Sequence, residues 1–270
     1  MATNSGKTNS PTKARLTRKY ALTITLLAAV IVYLLWNVAA LSPLVYPFRL
    51  FVTYIHEAGH GLAALASGGS IDEFSVSGNG SGLATTHGGS RALILPSGYL
   101  GAAFFGAVLF YLLNTHHRYA RAIAILLGIW LVIFTTLYAR PDQHGSYAAL
   151  FVGWLGGLGL IALGWKARAE INLLLLNVLA IMTALNGVLD ITLLIRHADI
   201  AMPTRSGVVR NDAAAFADAA GFLPASVWAF LWAGIALLAL GAAIYYSILR
   251  PMLKNADKLL AARTEQEHKL

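Results

Sequence analysis

Two histidines and a glutamate lie close together in an apolar stretch of the sequence. The stretch FVTYIHEAGHGLAALASGG, residues 51–69, contains an H-E-x-x-H motif formed by His56, Glu57 and His60. On a helix, positions i and i+4 share a face, so the two histidines can bind one metal ion. Glu57 lies next to that face, where it can take a proton from a water molecule that the metal activates. The motif therefore predicts a catalytic metal site.

The apolar setting strengthens this prediction. Hydrocarbon makes every ionisable group costly, so a glutamate and two histidines in one apolar helix are expected to have a function there. The alternative is a solvated helix with two surface histidines. Flanking residues such as Phe51, Ile55 and Leu62 do not fit a solvated helix.

The composition is that of an integral membrane protein. Of the 270 residues, 57% are hydrophobic and 12% are charged, whereas soluble domains are about one quarter charged. The net charge of +8 comes from basic residues at the two ends and in short connections, which does not favour a nucleic-acid partner. The chain has no cysteine, so any metal ligand must be His, Asp or Glu.

The hydrophobic pattern predicts an all-α polytopic membrane protein with six to seven membrane helices. A first span at 20–41 is followed by the motif helix, which starts near residue 42 and ends at 68–69, and by five later spans at 92–113, 122–138, 146–165, 171–195 and 227–249. Residues 1–19 form a basic tail that we expect to be disordered and cytoplasmic, and residues 251–270 form a charged C-terminal tail.

A small β-hairpin is predicted between the second and third helices. Residues 71–89 are polar and glycine-rich, with apolar positions on either side of Asn79-Gly80, which favours a type I′ turn. We expect this hairpin to dip toward the metal site.

The positive-inside rule depends on whether the motif helix crosses the membrane. With seven spans, the 20 Lys and Arg residues divide ten to ten between the two sides. With a motif helix that does not cross, they divide fourteen to six, and both tails lie on the basic side. The second pattern favours cytoplasmic tails and a re-entrant or shallow motif helix.

A catalytic zinc needs a third protein ligand and keeps its fourth position for water. Among the 12 acidic residues, Glu57 and Asp190 lie well inside predicted spans, so elimination selects Asp190. Its alternative role is a hydrogen bond to a neighbouring helix without metal.

Asn186 lies four residues earlier on the same face as Asp190. Its side chain is a candidate to form a hydrogen bond with Asp190, with a substrate carbonyl or with an oxyanion, or simply to join two helices. The other histidines are expected in solvated loops, although His87 lies in the hairpin that dips toward the site.

The residues around the motif resemble a known family. HEAGHGLAALASGG, the glycine-rich hairpin and PSGYLGAAFFG are similar to compact members of the site-2 protease family of intramembrane zinc metallopeptidases, which lack a PDZ domain. The resemblance covers roughly residues 50–195 and is strongest from 54 to 106. It implies that His56 and His60 bind zinc and that Glu57 is the general base, within a metalloprotease-like domain at 20–250. The family's Leu-Asp-Gly motif is matched in part, because Leu189-Asp190 is followed here by Ile191.

These observations predict an intramembrane zinc metalloprotease that hydrolyses a peptide bond in or near a transmembrane segment of a membrane-protein substrate. An edge of the hairpin is a candidate to capture the unwound segment as an added strand. The alternative is a non-proteolytic membrane scaffold or regulator that keeps the metal site and binds a partner helix. The compact chain and its short loops suggest a bacterial cytoplasmic membrane.

Overall fold

The computed structural model describes residues 18–189, 202–204, 207–209 and 211–254. Nine longer helical segments, two single-turn 3-10 helices at Ala39–Leu41 and His117–Tyr119, and four short strands follow one another in this part of the chain. They are α1 Arg18–Asn37, α2 Ser42–Ala66, β1 Ser70–Val76, β2 Gly82–His87, α3 Arg91–Thr115, α4 Ala120–Tyr138, α5 Ala148–Lys166, α6 Ala169–Ala184, α7 Asn186–Leu189, β3 Met202–Thr204, β4 Gly207–Val209, α8 Asp212–Ala220 and α9 Ala225–Lys254. The second small hairpin, β3–β4, was not predicted from the sequence.

The prediction of an all-α membrane protein is confirmed. Five of the described helices, α1, α3, α4, α5 and α9, are long and apolar enough to cross a membrane, and α6 is a shorter apolar helix. The predicted sixth span begins as α6, and its last residues, 190–195, lie outside the described part of the chain.

The motif helix α2 is not among these five spans, although it is 25 residues long. It carries an internal Pro47 as well as the polar motif residues, which lower its mean hydropathy. The re-entrant or shallow course of the motif helix stays a prediction.

Helix α3 lies at the centre of the described fold, where it packs against α2, α6, α8 and α9. Small residues allow these close contacts. A Cβ atom added to Gly106 would lie 2.5 Å from the Ala180 carbonyl oxygen of α6, so α6 packs directly on the α3 backbone. In the same way, Gly153 and Gly157 of α5 pack against α4.

The predicted hairpin is present as an antiparallel pair of strands, but its turn differs from the prediction. β1 and β2 pair from Ser70 opposite His87 to Val76 opposite Gly82. The chain reverses through Ser77–Ser81, and Gly80 has a φ of +91° while no described non-glycine residue has a positive φ. A type I′ turn would need positive φ at both Asn79 and Gly80, so the type I′ prediction was wrong.

Hydrogen bonds hold the tip of this hairpin along α2. The Tyr46 hydroxyl donates to the Gly78 carbonyl at 2.6 Å, and the Thr53 hydroxyl donates to the Gly80 carbonyl at 2.8 Å. The Ser77 hydroxyl donates to the Asp142 carboxylate in the loop between α4 and α5 at 2.5 Å. This bond, together with backbone N–H groups of the same loop, holds the pKa of Asp142 below its ordinary value. The hairpin is therefore fixed beside the motif helix.

Candidate metal centre

The two motif histidines point at the same position, as their spacing predicted. Both lie on α2, and the Nε2 atoms of His56 and His60 are 3.2 Å apart. The His60 side chain is 7% exposed, so its ring is protected from solvent. Two imidazole nitrogens this close together, with no apolar atom between them, are typical of a shared metal site.

A third ligand atom comes from Asp212, at the start of α8. Its Oδ2 atom lies 3.0 Å from His56 Nε2 and 3.2 Å from His60 Nε2. A tetrahedral zinc with bonds of about 2.05 Å places neighbouring ligand atoms about 3.3 Å apart. The three atoms therefore have the spacing of three corners of a zinc tetrahedron, although Asp212 lies 156 residues after His56 in the chain.

Each histidine is oriented by a contact on its far side. The Nδ1–H of His60 donates to the Ile94 carbonyl oxygen of α3 at 2.7 Å, which leaves Nε2 unprotonated and available to a metal. The His56 ring packs at 81° against Tyr99, with ring centroids 4.5 Å apart. The first turns of α3 thus fix both imidazoles.

Local signals explain why the chain forms α8 and how the helix is held at the site. The side chain of Asn211 caps its start by accepting from the Ala214 N–H at 2.9 Å, and Gly221 ends it with a φ of +73°. Phe216 packs against Trp228 and Trp232 of α9, with ring centroids 4.6 and 5.6 Å apart. This aromatic contact places Asp212 beside the histidines.

The two histidines also set the charge of the Asp212 carboxyl. Its burial opposes ionisation, but the neighbouring His60 and His56 rings outweigh this effect and hold its pKa below the ordinary value. A carboxylate that stays ionised at neutral pH is suited to bind a divalent cation.

Open space remains beside the two histidine nitrogens because residue 98 is a glycine. A Cβ atom on Gly98 would lie 2.5 Å from His56 Nε2 and closer still to His60 Nε2. The glycine therefore keeps free the volume that a metal ion and its further ligands need. This space, together with the nitrogen and oxygen donors around it, fits a zinc ion.

Glu57 lies next to the same centre, under the hairpin. Its side chain is 8% exposed, and its carboxylate accepts a hydrogen bond from the Ala84 N–H of β2. A Cβ atom on Gly82 would lie 2.5 Å from Glu57 Cγ and 2.6 Å from Oε1. The hairpin thus approaches Glu57 through backbone alone, in agreement with the prediction that it dips toward the site.

The other residues considered for the site from the sequence are Asp190, Asn186 and His87. Asp190, the predicted third ligand, lies outside the described residues. Asn186 starts α7, and among the described residues no hydrogen bond joins its side chain to Glu57, His56 or His60. His87 ends β2 as an exposed residue and does not belong to the described ligand cluster.

Asp212 was missed because elimination considered only acids inside membrane spans. The sequence did carry a signal for it. Asn211-Asp212 followed by small apolar residues and Gly221 has the start and stop pattern of a short helix with an acid in its first turn. Such a helix in a polar connection can bring a carboxylate to the site from outside the spans.

The chain was also compared with known protein families, curated proteins and solved structures. The family model described as Peptidase M50B-like matches residues 24–243 of the chain. No curated protein and no solved structure matches it. The matched range includes the motif helix, the hairpin, α3 and the helix that carries Asp212.

We expect Gly98→Ala to weaken zinc binding by about 100-fold or more, because its methyl group fills the space beside His56 and His60. Gly101→Ala, one turn further along α3, is the matched control. A Cβ atom there has its nearest neighbour, the Gly59 Cα, at 3.5 Å, which is an ordinary contact. Zinc titration of both purified variants measures the difference, and equal affinities would contradict this geometry.

Proposed function

The chain belongs to the Peptidase M50B-like family, the site-2 protease family of intramembrane metallopeptidases, and we propose that it is a zinc-dependent protease. It hydrolyses a peptide bond in or near a transmembrane segment of a membrane-protein substrate. Five apolar helices and the family place it in a membrane, and we propose a bacterial cytoplasmic membrane.

The observation that carries this proposal is the cluster of His56, His60 and Asp212 beside Glu57. The three ligand atoms lie within 4.8 Å of one another, and Glu57 is the neighbour of His56 on α2. Two imidazoles and one carboxylate form a ligand set that zinc hydrolases use, with the fourth position left for water. With Asp212 as the third ligand, Asp190 is not needed at the metal.

Glu57 is the general base and then the general acid of the proposed reaction. Bound zinc would supply Lewis-acid chemistry, polarising the peptide carbonyl and lowering the pKa of a water molecule to about 7. Glu57 takes one proton from the attacking water and returns it to the nitrogen of the leaving amine. The Ala84 N–H holds the Glu57 carboxylate in place, and burial by β2 keeps bulk water from it.

The same contacts favour an enzyme over a scaffold that keeps the metal site. A scaffold needs metal ligands but has no use for a buried carboxylate beside them. Burying Glu57 costs free energy, and the hairpin that covers it supplies one backbone N–H to its carboxylate. This arrangement is expected where the carboxylate transfers protons.

Strand β2 is the better candidate to receive an unwound substrate segment. The outer edge of β1 is already partly paired, because the Arg140 N–H donates to the Phe74 carbonyl at 2.9 Å. Within the described residues, no strand pairs with the outer edge of β2, the edge that bonds Glu57. A segment added to this edge would bring its peptide bonds next to Glu57 and the metal ligands.

We expect Asp212→Asn to lower zinc affinity by about 100-fold or more, because it removes a charged ligand. Asp190→Asn and Glu57→Gln should keep about one zinc per chain, since neither residue binds the metal in this proposal. Zinc content of the detergent-purified full chain measures all three. Loss of zinc from Asp190→Asn with retention in Asp212→Asn would overturn the ligand assignment.

Cleavage of a helical membrane substrate tests the role of Glu57 and of the hairpin. Glu57→Gln should slow cleavage by about 10²- to 10⁴-fold while zinc is retained. Gly82→Ala should slow it by about 100-fold, because the new methyl group displaces the Glu57 carboxylate.

Gly78→Ala is the matched control for Gly82→Ala. Gly78 lies in the same hairpin, its φ is not positive, and an added Cβ atom would have its nearest neighbour at 3.7 Å. The control should cleave at the wild-type rate. Equal loss of activity in both variants would show that the hairpin tolerates no substitution and that contact with Glu57 is not the cause.

A further inference from the structure

His56 and His60 are held in different ways. The His60 ring is fixed by a hydrogen bond, because its Nδ1–H donates to the Ile94 carbonyl oxygen at 2.7 Å. Within the described part of the chain, the hydrogen bonds of His56 are all made by Nε2, the nitrogen that faces His60 and Asp212. A histidine ligand needs a second contact that fixes the orientation of its ring. For His56, that contact has to come from packing.

Tyr99 makes this packing contact. Its ring meets the His56 ring edge to face, at 81° and with centroids 4.5 Å apart, which is an arrangement that aromatic pairs prefer. Tyr99 directly follows Gly98, the residue whose missing side chain leaves space beside both histidine nitrogens. Two neighbouring residues of α3 thus have complementary effects, because one leaves room for the metal and the other holds a ligand beside it.

Trp232 of α9 supports Tyr99 in turn. The two rings are stacked at 27°, with centroids 6.2 Å apart. Trp232 is 4% exposed, so its large side chain is enclosed by its neighbours and has little freedom to move. The Tyr99 ring therefore has His56 as one partner and a fixed indole as another.

The same tryptophan packs against the helix that carries Asp212. Phe216 of α8 contacts the indole at 69°, with ring centroids 5.6 Å apart. Ala213, the residue after Asp212, is fully buried in a small apolar cluster that includes the indole, and Tyr99 packs against this cluster. The cluster is separate from the main apolar core of the described residues. It follows that α8 is positioned by some of the same side chains that support the motif histidine.

We call Tyr99, Trp232 and Phe216 the aromatic path, because their contacts lead from one metal ligand to the helix that carries another. His56 and Asp212 are 156 residues apart in the chain, yet His56 Nε2 and Asp212 Oδ2 lie 3.0 Å apart. A zinc site needs its ligand distances to within about 0.2 Å. The covalent chain cannot fix a distance over such a length, so the packing between α3, α8 and α9 has to fix it.

We propose that Tyr99 and Trp232 are positioning residues of the metal centre. Tyr99 fixes the angle of the His56 ring, and Trp232 fixes Tyr99 relative to α8 and its carboxylate. Together they set the distance between the two ligand atoms before a metal binds. This role belongs to the ring of Tyr99 and not to its hydroxyl group, since the ring makes the contact with His56. The proposal rests on the metal site of the proposed function and does not depend on cleavage of a substrate.

Zinc titration of the detergent-purified full chain tests the role of the Tyr99 ring. Tyr99→Leu keeps an apolar side chain that suits a helix but removes the ring, and it should weaken zinc binding by about 10- to 100-fold. Tyr99→Phe keeps the ring and should bind zinc with wild-type affinity. Equal loss in both variants would assign the effect to the hydroxyl group and overturn the proposal, as would wild-type affinity in Tyr99→Leu.

Phe222→Leu is the matched control. Phe222 contacts Trp228 of α9 with ring centroids 5.3 Å apart, is 69% exposed, and makes no ring contact with Tyr99 or Trp232 among the described residues. This variant should bind zinc like the wild type. A loss as large as that of Trp232→Leu would show that removing any aromatic ring near α8 weakens the site, which contradicts a specific aromatic path.

The double variant Tyr99→Leu/Trp232→Leu tests whether the two rings act together. Trp232→Leu alone should weaken zinc binding by about 10-fold or more. The double variant should lose less affinity than the product of the two single losses, because either substitution already interrupts the aromatic path. A loss equal to that product, or larger, would mean that the two rings act independently and would refute the path.

The visible spectrum of the cobalt-loaded protein separates ligand geometry from overall stability. Cobalt(II) takes the place of zinc, and its absorption depends on the number and arrangement of its ligands. Saturated Tyr99→Leu should show an altered spectrum, and Tyr99→Phe should show the wild-type one. A wild-type spectrum in Tyr99→Leu would overturn the proposal.

These measurements need no substrate, so they separate the positioning role from the proposed protease function. A protein that binds metal as described but cleaves nothing would contradict the protease function alone. A wild-type protein that binds neither zinc nor cobalt would contradict the metal centre and, with it, the positioning role.

Discussion

The close approach of α2 and α3 is the constraint on which the rest of the structure depends. Gly59 lies between the two histidines and faces the Ser97 carbonyl of α3, where a Cβ atom would overlap the carbonyl oxygen. Gly98 faces back toward both histidine nitrogens. Because both glycines lack side chains, the α3 backbone reaches the motif and the Ile94 carbonyl can orient His60. Larger residues at either position would separate the helices and break the hydrogen bond that orients His60.

The cost of burying a carboxylate explains why the centre is completed by short elements instead of membrane spans. A carboxylate inside hydrocarbon is costly unless a cation or hydrogen-bond donors compensate it. The hairpin brings a backbone N–H to Glu57, and α8 brings Asp212 to the two histidines. Both elements lie in connections at one end of the spans, so the charged groups meet at the edge of the apolar region and not at its centre.

Much of this arrangement could be predicted from local sequence patterns. The H-E-x-x-H spacing identified two metal-binding candidates and the base, and the hydrophobic pattern identified the spans and the hairpin. The turn type was wrong because the glycine with positive φ follows Asn79, and Asn79 itself does not adopt that conformation. Asp212 could not be selected by spacing, since α8 reaches the site through its packing on α3 and α9. Long-range packing of this kind leaves no periodic signal in the sequence.

Anomalous diffraction at the zinc edge from crystals of the zinc-loaded full chain tests the central claim most directly. The account predicts one zinc peak, bonded to His56 Nε2, His60 Nε2 and Asp212 Oδ2, with Glu57 beside it and not bonded to it. A peak bonded to the two histidines and Asp190 would contradict the third-ligand assignment. A protein that binds no zinc at the histidines would contradict the metal centre itself.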